Sequence, residues 1–298
     1  MKNFTDKIKG SFIALALGDA LGREVESGKY RKIEEILKKD KFRYTDDTQM
    51  AIDIVVSFLR NKKTDQDDLA LTYAQSFDEK RGYGRGVSKL LNEIKKGKNW
   101  RNLNKSFFKG GSYGNGGAMR AGVLALCYPE NYELMKLNTV KASEITHANS
   151  LAIEGSILIS SAVWGALRDF GELDILDLLS NNLKEEIYLN KLEFIKNNLK
   201  EDLRKEEIVK YLGNGVASYD SVATSLYFAL KYKDEILTKM LNEIYFLRGD
   251  SDTLGAMAGV IWGAFNGFGA LCNIYEKLEN IEFILKISED LANFNDCY

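Results

Sequence analysis

Proline is almost missing from this chain: Pro129 is the only one in 298 residues. With so little to interrupt them, helices can run long. Histidine is equally scarce. His147 stands alone, which excludes a metal centre built from imidazoles. The cysteines, Cys127, Cys272 and Cys297, are few, odd in number and far apart. They offer neither a disulfide framework nor a zinc-ligand spacing, and three reduced thiols is the natural reading. Neither sign of charge predominates. With 41 basic and 43 acidic residues the net charge is -2, so no overall pull toward nucleic acid or a membrane surface is expected. Long hydrophobic runs are lacking as well, since no stretch approaches the ~20 apolar residues of a membrane span. The segment SFIALALGDALG, behind Lys2, Lys7 and Lys9, has the outline of a signal peptide, but Gly18 and Asp19 cut its apolar run at Leu17. A cytoplasmic chain without a membrane segment is the expectation.

What is present is helical periodicity. Ala51, Ile54, Val55 and Phe58 fall at i, i+3, i+4 and i+7. In LAIEGSILISSAVWGAL, Ile153, Ile157 and Trp164 share a stripe, and Gly155 and Ser156 permit close packing. DTLGAMAGVIWGAFNG mixes glycine and alanine with large apolar residues, as suits a central helix whose backbone is closely approached. Clear strand alternation is lacking, so the chain reads as all-α. From about Gly171 to Leu212 it is rich in Leu, Lys and Glu, which fits outer amphipathic helices joined by polar turns. No linker or change of composition divides it. One compact helical domain over 1–298, acting as a monomer, is expected.

Two short stretches echo each other. DTQMA (47–51) and DTLGA (252–256) each have a second aspartate just upstream and open an apolar helix. Separately, TDDT and GDSDT read as helix caps, because Thr and Asp suit an N-cap and negative charge suits the first turn. Together they bring Asp46, Asp47, Asp250 and Asp252, with oxygens from Thr45 and Thr253. If the two helix starts converge, four carboxylates would repel one another unless cations hold them. The donors are all oxygen, so the cation would be hard: Mg²⁺ first, with Mn²⁺ or Ca²⁺ behind it. Such a set could serve a two-metal centre.

A glycine-rich stretch, GGSYGNGGAMRAGVLAL, precedes another apolar helix. It is either a tight connector or a cradle whose backbone amides and helix start meet a pyrophosphate. It lacks the Gly-Lys-Ser/Thr of a P-loop. Arg120 could touch phosphate or anchor an acidic neighbour. In RGYGRG, Tyr83 could stack on a ring. His147, in ITHANS, sits at a helix start among polar residues, and Glu26 follows GDALG across what reads as a short loop.

In combination these segments resemble the ADP-ribosylglycohydrolase family, also called the ADP-ribosyl-acceptor hydrolases. The matching pieces are GDALG with Glu26, YTDDTQM, RGYGRGV, GSYGNGGAMR, THANS, LGNGVASYDSV and RGDSDTLGAMAGVIWGA, in the family's order over nearly the whole chain. GSYGNGGAMR, RGYG and LGNG look most like the branch that removes serine-linked ADP-ribose and trims poly(ADP-ribose). The resemblance implies an all-helical fold with two Mg²⁺ ions (Mn²⁺ as a substitute) at the bottom of a cleft. Thr45, Asp46 and Asp47 match one ligand group, and Asp250, Asp252 and Thr253 the other. Glu26 matches a glutamate on a mobile loop that gates the metals and positions water; with Asp47 it is the expected catalytic pair. Asp19 falls near the site. Gly111, Ser112, Tyr113, Gly114 and Asn115 match the loop that holds the diphosphate and distal ribose, and His147 a histidine near that ribose. Phe107, Tyr83 and Gly84 lie where the family places the adenosine and the cleft wall. The chain departs from the pattern at REVE, where charged Arg23 and Glu24 replace small or apolar residues and Glu24 is a second carboxylate near the gate.

The implied partners are ADP-ribosylated proteins or small molecules containing ADP-ribose. The leading expectation is hydrolysis of O-linked ADP-ribose on serine, poly(ADP-ribose) or O-acetyl-ADP-ribose. The alternatives are ADP-ribosyl-arginine as substrate, a non-catalytic ADP-ribose binder, and a metal-dependent phosphohydrolase.

Overall fold

A computed structural model describes residues 4–30, 32–106, 109–181 and 183–296. Among them no β-strand forms, and pairing is limited to two isolated bridges, Phe42 with Leu278 and Gly114 with Ala217. The helices that position the site are α1 (Phe4–Glu26), α2 (Asp46–Asn61), α3 (Gln66–Ser76), α4 (Arg85–Lys95), α5 (Ser150–Leu167), α6 (Ser218–Lys231) and α7 (Ser251–Asn266). Their buried apolar side chains join one contiguous cluster that runs from Ile8 to Ala292.

The centre of the fold is an antiparallel pair, α1 against α7, in which backbone meets backbone. A methyl group at Gly18 would lie 2.0 Å from the carbonyl oxygen of Gly255, and one at Gly263 would lie 2.3 Å from that of Gly10. At the far end, one at Gly22 would lie 2.5 Å from Asp252 Cα. The glycines of GDALG and DTLGAMAGVIWGA therefore set the distance between the helices. As the sequence implied, α7 is a closely approached central helix. The antiparallel run carries the C-terminal end of α1 to the N-terminal end of α7.

Helix α5 corrects one expectation. Its 18 residues have a mean hydropathy of 1.4, long and apolar enough to cross a membrane by length and composition alone. Two-thirds of it is buried inside the protein, as a core helix would be. The stripe of Ile153, Ile157 and Trp164 is its half-buried side; the deepest side carries Ala152, Gly155, Ile159, Val163 and Ala166. Trp164 instead packs on Tyr132 and Phe170 in the next layer. Between 171 and 212 the outer helices are one-sided as expected: Glu186–Asn198 buries only Tyr188, Leu192 and Ile195.

Candidate active site

The two acidic helix starts do converge, and α1 is what joins them. At the first, Thr45 is the N-cap, and its hydroxyl accepts from the amide of Asp47. The next turn is held from another helix. Asp19, wholly buried in α1, accepts from the amides of Thr45 (2.9 Å) and Thr48 (3.0 Å) and from the Thr48 hydroxyl (2.5 Å). Its carboxylate thus braces the start of α2 from below.

At the second start, the amide of Ser251 donates to Glu26 Oε1 at 2.8 Å. Here the expected short loop is corrected. Glu26 is the last residue of α1, because GDALGREVE contains nothing that stops a helix, and the chain turns only at Ser27 and Gly28, whose φ is +73°. Glu24 is directed elsewhere and pairs with Lys39 at 2.6 Å, so the two carboxylates of REVE are not interchangeable. Asp250 is oriented by the side-chain amide of Asn115, and its own amide donates to Asn214 O at 3.0 Å. Asn214 also donates to Leu247 O at 3.1 Å. A side chain at Gly249 (φ +82°) would fall 2.1 Å from Asn214 O, so only glycine admits this contact. LGNG is therefore the bracket that sets the Asp250 turn against the glycine-rich loop.

Two groups of carboxylate oxygens result, each within 4.8 Å: Asp19, Asp47 and Asp252, and Glu26, Asp250 and Asp252. Asp252 belongs to both. Burial raises five acids of this site, and neighbouring carboxylates reinforce it at Asp46, Asp47, Asp252 and Glu26. Asp46 is pushed up to about 7, Asp47 and Asp252 rise well above the ordinary range, and Asp19 and Glu26 rise as well. Asp47 Oδ1 is buried without a hydrogen-bond partner. An orphaned carboxylate oxygen among crowded acids, with hydroxyls of Thr45 and Thr253 close by in sequence, fits hard divalent cations. The partition differs from the one drawn from sequence: Asp19 and Glu26 join the carboxylates, and the first group straddles the two helix starts.

Above these acids opens a cleft of about 390 Å³. Glu26, Asp46, Asp47, Asp250, Asp252 and Thr253 line its floor. One wall carries Gly82, Gly84 and the first turn of α4; the other carries Ser112, Gly114, Asn115 and His147. Gly111 (φ +90°) passes so close to Ala148 that a side chain would meet its backbone at 2.8 Å. Ser112 Oγ accepts from the amide of Gly114 at 3.2 Å, and Tyr113 O accepts from Ser218 N, which fixes the loop to α6. Tyr113 is half exposed (52%). Tyr83 is buried edge-to-face against Phe77, ring centres 4.9 Å apart, and so is not an open stacking platform. Phe107 lies outside the described residues.

Arg120 borders the inner end of the cleft but forms no ion pair with an acid among the described residues. It is 1% exposed, stands over the Tyr73 ring, and donates to Gly116 O and to Thr146 Oγ1 (2.7 Å). Thr146 Oγ1 in turn lies 2.8 Å from His147 Nδ1. Burial, with Arg120 nearby, pushes His147 down to about 3, so its ring is neutral.

The family model for ADP-ribosylglycohydrolase matches residues 1–296. The chain belongs to the ADP-ribosylglycohydrolase family. "ADP-ribosylhydrolase ARH3" of Mus musculus is 32% identical, over 88% of this chain and 84% of its own. The protein of that name from Homo sapiens is 33% identical, over 79% and 76%. An uncharacterised protein of Archaeoglobus fulgidus aligns over 96% of both chains at 25% identity. A solved structure titled "ADP-ribosylglycohydrolase-related protein complex" superposes with a TM-score of 0.78 over 99% of both chains; at 23% identity it speaks for the fold alone. This ADP-ribosylglycohydrolase is a glycosidase-type hydrolase.

Sequence reasoning overlooked three supports of the site: Thr48, Asn214 and the Arg120–Thr146 pair. Thr48 left a trace, since the DT of DTQMA places a hydroxyl one turn from the cap. Asn214 and Thr146 entered only as members of LGNG and THANS; their bonds to Leu247 and Arg120, far away in the chain, left no signal.

Proposed function

We propose that this chain uses Mg²⁺ to hydrolyse the C1″ O-glycosidic bond of ADP-ribose attached to serine, to further ADP-ribose in poly(ADP-ribose), or to acetate. The observation that carries the reading is the pair of carboxylate groups sharing Asp252, set at the floor of a cleft whose wall is a glycine loop and a neutral histidine. The serine branch is preferred on GSYGNGGAMR, RGYG and LGNG.

Asp47, Asp250 and Asp252, with Thr45, Asp46 and Thr253, would hold the ions. When bound, these would supply positive charge that fixes the hydroxyls of the distal ribose. Ser112, Gly114 and Asn115 offer the diphosphate and ribose a wall without bulk. Cleavage builds oxocarbenium character at C1″, and a carboxylate beside it can take a proton from the attacking water. Glu26 is suited to that work. It reaches the floor from the end of a helix, and its raised proton affinity makes it a better base than an ordinary glutamate.

The test is release of ADP-ribose from serine- and arginine-modified peptides side by side, with EDTA and Glu26→Gln controls. Release from serine that both controls abolish is expected. Release from arginine alone would keep the site and overturn the substrate. Liberation of AMP or phosphate from ADP-ribose would replace glycosidic with phosphoester chemistry.

A further inference from the structure

The charge of this chain is balanced only on average. Between Lys80 and Lys109 it carries ten Lys and Arg against a single acid, Glu93, in a protein whose net charge is -2. The segment folds around α4, which buries Leu90, Leu91 and Ile94 and turns its cations outward. Lys80, Arg85, Lys89 and Lys95 are exposed, and their side-chain cations make no ion pair or hydrogen bond among the described residues. Lys96 and Lys98 both pair with Glu93, but they are 67% and 61% exposed, and pairs so open to water are weak and readily exchanged.

These cations border a second groove, of about 520 Å³, lined by Lys89, Asn92, Glu93, Lys96 and Lys98 of this segment, with Leu103 and Ser106 opposite. Helix α4 is the wall it shares with the cleft: Arg85, Gly86, Val87 and Leu90 face the cleft, while Lys89, Asn92 and Glu93 face the groove. The two carboxylate groups lie on the cleft side of α4 and the lysine-lined groove on the other.

We propose that this groove is a subsite for the anionic continuation of an ADP-ribose chain whose end unit occupies the cleft. The proposal rests on the ADP-ribose reading above. Each added unit brings a diphosphate, and lysines scattered over an open groove suit phosphates met as point charges. A nucleic acid strand would satisfy the same charges. It has no reason, however, to favour a groove that shares a wall with the cleft. A chain anchored in the cleft arrives there tethered, so even weak contacts raise its overall affinity.

The experiment compares free ADP-ribose, short ADP-ribose oligomers and a single-stranded RNA of matching charge. Binding is measured by calorimetry on the Mg²⁺-loaded full chain carrying Glu26→Gln to prevent turnover. The expected result is oligomer binding about tenfold tighter than ADP-ribose, with an advantage that shrinks as salt rises. In K89E/K96E/K98E the advantage should vanish while ADP-ribose affinity and the melting temperature stay unchanged; K89Q/K96Q/K98Q should fall between. Equal binding of oligomer and ADP-ribose to the unaltered groove would overturn the proposal, as would an advantage that survives the charge reversal. RNA binding as tightly as the oligomer would make the groove a nucleic acid surface instead. Absence of any ADP-ribose binding would remove the functional reading itself, and this subsite with it.

Discussion

Helix α1 sends one carboxylate to each acidic helix start, and the two have opposite fates. Asp19 and Glu26 stand seven residues apart, so both lie on one side of the helix. Each accepts from a backbone amide at the start of another helix. Asp19 is wholly buried and satisfies three donors of the α2 start; Glu26 is exposed and satisfies one donor of α7. The same geometric task therefore leaves Asp19 bracing the α2 start at the edge of the carboxylate cluster and Glu26 open to the cleft. Depth within the fold, rather than residue type, makes the difference.

Replacing Asp19 should break the comparison at its structural end, with the largest effect. Asp19→Ala strands the amides of Thr45 and Thr48 and the Thr48 hydroxyl in the interior, a loss of about 3 kcal/mol or more. Urea unfolding should show it, together with loss of turnover as the α2 start loosens. A variant that unfolds like the parent would mean that Asp19 is not the anchor of that helix. Glu26→Gln probes the other end. Its amide oxygen can still accept from Ser251, and the position is exposed, so stability should change by less than about 1 kcal/mol. Turnover should nevertheless disappear while ADP-ribose still binds. Full turnover would remove Glu26 from the reaction.

A smaller effect follows from the crowding between the two helix starts. Asp46 moves from 3.8 to about 7. A folded state that holds its proton more tightly than the unfolded state is most stable below the lower value and loses that contribution as pH rises through the upper one. In the metal-free protein, thermal stability should therefore decline between about pH 4 and pH 7, with Asp47 and Asp252 extending the trend upward. Added Mg²⁺ should reverse the decline most strongly at the high-pH end, where the carboxylates are ionised. A melting temperature indifferent to both pH and Mg²⁺ would show that these acids do not form a cation site.

How far the sequence could be read follows the same division between near and far. The DT-x-x-A echo marked both helix starts, but only Thr45 caps its own helix; Asp250 makes no side-chain cap, and Glu26 of α1 holds the first amide of α7 instead. The small residues of α7 announced a close neighbour, since only an approaching backbone explains so much glycine in an apolar helix. The residue pattern after GDALG reads as a short loop, yet REVE contains no breaker and the helix runs on to Glu26. The bracket at Asn214 and the partition of the acids about Asp252 were illegible. They depend on contacts between turns far apart in the chain, and no periodicity records such contacts.

Across the cleft, hidden support and presented group are again different residues, and this gives the last and smallest test. Arg120 already donates to Thr146 Oγ1, and the only acceptor within reach of the threonine proton among the described hydrogen bonds is His147 Nδ1. That pattern makes Nδ1 the acceptor and leaves the ring proton on Nε2, as a donor toward the glycine loop. Arg120 and Thr146 would then be positioning residues that act through the ring. Because His147 is the only histidine, NMR of protein carrying isotope-labelled histidine reports this ring alone. A neutral ring protonated at Nε2 is expected in the parent and in Thr146→Ser. Thr146→Val should mix the two tautomers and weaken ADP-ribose binding by a few fold, at little cost in stability. Protonation at Nδ1 in the parent would reverse the direction of the Thr146 bond and withdraw the donor from the cleft.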